Sequence, residues 1–137
     1  MLGRIGGVVA GVVVTFLCVQ GAELITHKLY PPPPGTNMHD FAQVKAFVAT
    51  LPPLAFALVL GGWLVGTFLG TFTAARIGRS RVPAYFIGVL LLIAGVVNAI
   101  VIPQPMWFSV ASLFVYGTMT IAGAAAGKPA VVEGLRA

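Results

Sequence analysis

Gln20, Glu23 and His27 follow one another at intervals of three and four residues, the spacing that stacks side chains on one face of a helix. Their surroundings are apolar, with Thr26 beside them, so a carboxylate and an imidazole stand one turn apart in a hydrophobic run. An ionised carboxylate inside a bilayer costs about 2.5 to 3.5 kcal/mol on insertion scales, so Glu23 must face protein or water and be protonated or paired. Three chemistries fit. One is a hydrogen-bonded clamp joining Glu23 to His27, to Asn98 in a later apolar run, or to the carbonyls of Pro31 to Pro34. A second is a metal or cofactor site on the outer face, with His39 and Asp40 adding nitrogen and oxygen donors of the kind zinc accepts. The spacing is not that of a His-Glu-x-x-His metalloprotease, and no metal ligand is assigned. The third is a Glu/His pair at the mouth of a proton or cation path. There is no Ser/His/Asp set, P-loop or dinucleotide glycine pattern, so no catalytic residue and no cofactor are expected. Thr67, Thr71, Thr118 and Thr120 are expected to bond the carbonyls of their own helices.

Four apolar runs must position these groups. Of the 137 residues, 58% are hydrophobic and only 8% charged, with a mean hydropathy of +1.00. A soluble domain carries about a quarter charged residues, which excludes an ordinary soluble enzyme. A bilayer crossing needs about 20 apolar residues, and residues 5–25, 54–75, 84–102 and 107–126 each supply them. A secretory signal peptide ending near Gly21 or Ala22 is the competing reading of the first run. Prolines mark the boundaries at Pro52 and Pro53, Pro83, Pro103 and Pro105, and Pro129, where they cost a helix little. Tyr30, Tyr85 and Trp107 stand near proposed ends, as interfacial aromatics do. The single cysteine, Cys18, allows no internal disulfide.

The net charge of +5 is a topology signal; no basic stripe interleaved with stacking aromatics suggests nucleic acid. Arg4, Arg76, Arg79, Arg81, Lys128 and Arg136 fall on one side of the four spans, Lys28 and Lys45 on the other. The positive-inside rule then puts both termini in the cytoplasm and segment 28–53 outside. There the run Pro31 to Pro34 favours a stiff polyproline II rod. Phe41, Val44, Phe47 and Val48 recur at helical spacing behind Asn37 or Asp40 as a cap. A short amphipathic helix lying on the outer membrane surface is expected.

Small residues recur every fourth position: Gly3, Gly7 and Gly11 on the first span, Gly62, Gly66, Gly70, Ala74 and Gly78 on the second. Such rows let membrane helices approach backbone to backbone. The spans form two hairpins of similar plan, each turning near prolines, a pattern that duplication and convergence explain equally well. The string Glu23-x-x-x-His27-x-x-Tyr30-Pro31-Pro32-Pro33-Pro34-Gly35, followed by Ala49-Thr50-Leu51-Pro52 and the glycine row, resembles a group of small four-span bacterial inner-membrane proteins. That resemblance implies a fold of four transmembrane helices and carries no catalytic residue across; the expected location is the bacterial inner membrane.

The expectation is an all-α, polytopic membrane protein, one domain over 1–137, with four transmembrane helices as two hairpins plus the short external helix. Its expected role is that of a non-enzymatic accessory or scaffold module. The alternatives are a small oligomeric channel or transporter with Glu23 and His27 at its outer mouth, or the outer-face metal or cofactor site. The expected partners are the lipid bilayer and a second copy or a larger membrane complex, not nucleic acid.

Overall fold

The computed structural model describes residues 1–129 and is helical throughout its ordered elements. They are α1 (Leu2–Leu29), α2 (Phe41–Ala49), α3 (Pro53–Gly78), α4 (Val82–Val101) and α5 (Met106–Gly127). All but α2 are long and apolar enough to cross a membrane. Arg136 lies outside the described residues.

Helix α1 exceeds its sequence-based bounds at both ends. Its 28 residues span about 42 Å at 1.5 Å per residue, more than the roughly 30 Å of a hydrocarbon core. Polar Glu23 and His27 do not stop it, because only Pro31 and its neighbours remove backbone donors. The end is made by Tyr30, whose N–H donates to the Thr26 carbonyl at 2.8 Å. Proline opens α3 and α4, where the missing N–H would have been unpaired anyway.

Helix α3 is the hub and packs against α1, α4 and α5. Antiparallel α1 and α3 meet along the two rows of small residues. A methyl group on Gly7 would stand 2.6 Å from the Ala74 carbonyl oxygen, and one on Gly11 2.6 Å from that of Gly70. On the other side Gly70 faces Thr15, Gly66 faces Cys18, and Gly62 faces Ala22. The contact is therefore intramolecular. Gly3, at the exposed start of α1, stands at its margin, where an added methyl would make only ordinary contact with the Ile77 carbonyl, at 3.8 Å.

Three further close approaches complete the bundle. Gly123 and Gly127 of α5 lie on the backbone of Phe68 and Phe72 in α3, and Gly88 of α4 lies under the Thr120 side chain. Gly95 lies under the Tyr116 ring. Ala74, Ala75, Ala84, Ile87 and Ala124 form the buried apolar centre. The tight α3–α4 turn puts Arg79 at φ +49°, a left-handed conformation that non-glycine residues adopt rarely.

Among the threonines, Thr71 donates to the Thr67 carbonyl at 2.6 Å and Thr118 to that of Phe114 at 2.8 Å, as expected. The Thr67 and Thr120 hydroxyls are different: both are buried without a hydrogen-bond partner. Thr120 is seated over Gly88, so its side chain fills the notch between α4 and α5 rather than bonding its own helix.

Candidate functional site

The four spanning helices do not close over one another at the end that carries the proline run. They leave a partly open cavity of about 280 Å³. Helix α1 contributes Glu23, Thr26 and His27, followed by Tyr30. From α3 come Phe56, Val59 and Trp63; Asn98 of α4, Gln104 of the following turn and Phe108 of α5 face them.

Helix α2 forms the cover. Asp40 caps it, accepting from the Ala42 N–H at 2.9 Å, and Gln43 reaches back to Asp40 at 3.1 Å and accepts the Asn37 N–H at 2.7 Å. The first of these bonds satisfies a donor that a helix start leaves free, and the other two tie the preceding turn to it. Gly35, at φ +84°, turns the chain after the proline run, and Thr36 closes the turn on the Pro33 carbonyl at 3.1 Å. Val44, Phe47 and Val48 then line the cavity, with Phe47 buried, while Phe41 stays exposed. The expected surface helix is thus present, and most of its apolar face is turned onto the bundle.

Aromatic rings build the far wall. Phe108 is 2% exposed and sits 5.2 Å from both Phe56 and Trp63, centroid to centroid. Trp63 stacks on Tyr116 at 5.6 Å, and Trp107 meets Phe56 edge-on at 6.4 Å. Rings at these separations attract one another beyond simple area burial. They join α3 to α5 where the small residues have stopped.

Glu23, His27 and Asn98 come together on this cavity; Gln20 is exposed and does not line it. The expected clamp is not formed. Among the described residues Glu23 makes no side-chain hydrogen bond and no ion pair within 4.0 Å. Asn98 donates instead to Gln104 at 3.3 Å, and Gln104 to the Ser109 hydroxyl at 2.9 Å. The break at Ile102 and Pro103 folds Gln104 back over the end of α4, where it is the nearer partner. His39 and Asp40 do not line the cavity, and among the described residues no three His, Cys, Asp or Glu side chains gather as metal ligands.

Sequence reasoning missed Gln104, Trp63, Phe108 and the inward turn of Phe47. The seven-residue interval from Phe56 to Trp63, two helical turns on one face, was the available signal for the ring wall. Gln104 stands between two prolines and belongs to no periodic pattern. Comparison with family models, curated proteins and solved structures gives no match.

Proposed function

We propose that the chain is a non-enzymatic module of the bacterial inner membrane, an accessory or scaffold subunit with its working end outside the cell membrane and both termini in the cytoplasm. The observation that carries this reading is the asymmetry of its polarity. Glu23, His27, Asn98 and Gln104 gather at one end. Below them glycine, alanine and threonine bring helix backbones into contact, which leaves no continuous polar line for an ion among the described residues of one chain. The orientation is supported by Arg4, Arg76, Arg79, Arg81 and Lys128 at the opposite end from Lys28 and Lys45, the bias that keeps basic loops inside.

Native mass spectrometry of the detergent-extracted protein tests the role. A defined oligomer or a co-purifying membrane protein is expected. A bare monomer that conducts ions in proteoliposomes would overturn the reading. Orientation is tested in a Cys18→Ser background: a cysteine at Thr36 should react with an impermeant reagent in intact cells, and one at Ser80 should not.

A further inference from the structure

Glu23 is the one acidic residue of the four spanning helices, and it faces a cavity whose remaining walls are mostly aliphatic and aromatic. A carboxylate in such a place is costly unless a positive charge or a donor meets it. The protein supplies neither within hydrogen-bond reach among the described residues. His27 and Tyr30 are the other titratable groups on the lining, and neither hydrogen-bonds the carboxylate; Lys28 of α1 and Lys45 of α2 do not line the cavity. Meanwhile Phe47, Phe56, Trp63 and Phe108 present rings from three helices to the same space. Aromatic faces attract cations, most strongly where water is excluded.

We propose that this cavity binds a small hydrophobic organic cation, a substituted ammonium bearing an aromatic or branched alkyl group. Its charge lies against Glu23 and its apolar body among Phe47, Trp63 and Phe108. The competing ligand chemistries fit less well. A hard metal ion needs about six oxygen ligands, and the cavity offers one carboxylate beside the amides of Asn98 and Gln104, which are engaged with each other and with Ser109. A neutral apolar molecule would leave that carboxylate uncompensated, and an anion would be repelled by it. A volume of about 280 Å³ lies just under the roughly 300 to 1,000 Å³ of pockets for drug-sized ligands, which sets the ligand at the small end. This assignment goes beyond the accessory role and stands or falls separately from it, since it concerns occupancy of the cavity and not partnership of the chain.

Calorimetric titration of the full chain in zwitterionic nanodiscs, with empty nanodiscs as the blank, tests it with three probes of similar shape. They are benzyltrimethylammonium, the net-neutral N-oxide of N,N-dimethylbenzylamine, and phenylmethanesulfonate. The cation should bind about tenfold or more tightly than the N-oxide, and the sulfonate not at all. Glu23→Gln should bring the cation to the level of the N-oxide. Equal affinity for cation and N-oxide, no detectable binding of the cation, or full retention of cation affinity in Glu23→Gln would each overturn the assignment. If Glu23→Gln does not fold, the three probes on the parent protein decide alone.

Discussion

Helices α1 and α3 lie backbone to backbone as far as Ala22 and Gly62 and then leave a cavity beside them, although they are the same two helices throughout. Up to Ala22 and Gly62 each turn of one offers a glycine, alanine, threonine or cysteine to the other. Above Gly62, α3 presents Val59 and Phe56 instead, and a cavity remains between the helices. The difference teaches that separation is set by side-chain volume at the contact positions, turn by turn. Small residues give the closure that membrane helices need in the absence of a hydrophobic drive between them; rings give a wall with space in front of it.

The sharpest way to break this contrast is to put volume into the closed region. Gly11→Leu should be more damaging than Gly66→Leu, because its first carbon would meet the Gly70 carbonyl at 2.6 Å and the Ala74 methyl at 2.8 Å. A loss of about 3 kcal/mol is expected, the upper end for overpacking, read as a lower unfolding midpoint in detergent. Gly66→Leu meets Cys18 and the Thr15 carbonyl at 3.1 and 3.2 Å and should cost about 1 to 2 kcal/mol. If the two variants lose the same amount, contact distance is not what governs the closed region.

A smaller effect is expected where the cover is capped. Asp40→Ala removes the acceptor for the Ala42 N–H and should cost α2 about 1 kcal/mol. The checking measurement is hydrogen exchange, with faster exchange confined to α2 amides; an equal drop in the midpoint of the whole bundle would show that cover and closed region are one cooperative unit. Smaller still is the effect of Glu23→Leu. With no protein partner to lose and an uncompensated carboxylate removed, it should lower stability by less than about 0.5 kcal/mol or raise it. A large loss would restore the clamp. Gly21→Ala, with nothing within 4 Å of the added methyl, is the last of the series and should leave the midpoint unchanged or slightly raised by helix propensity.

The closed region was largely legible in the sequence and the cavity only in part. Gly62 to Gly78 repeats one residue class at every fourth position, so spacing alone identifies the face that must meet something small. Gly123 and Gly127 carry the same spacing but form only one pair, and Gly88 and Gly95 lie seven apart, so neither stands out as a row. Amphipathic spacing in α2 told which residues share a face. It could not tell whether that face meets lipid or protein, because both reward apolar burial. Glu23 was excluded from lipid by cost, yet its partner could not be named: periodicity fixes neighbours along one helix, whereas Asn98 and Gln104 reach the cavity through the arrangement of other helices.

The central position of α3 bears on biogenesis. Synthesis delivers α1 before α3, and α1 makes its main contact with α3 and no close backbone contact with α5. Helix α1 must therefore wait for its main partner while the proline run and α2 are made. Once Gly78 has left the ribosome tunnel, the antiparallel α1–α3 pair holds every residue of its own interface and can dock before α4 exists. The later hairpin is then added to a finished template, α5 settling parallel to α3 against its Thr71 and Phe72 side. A chain interrupted within α4 would on this account still deliver an inserted helix pair, whereas one interrupted within α3 would leave α1 stranded for quality-control proteases to remove.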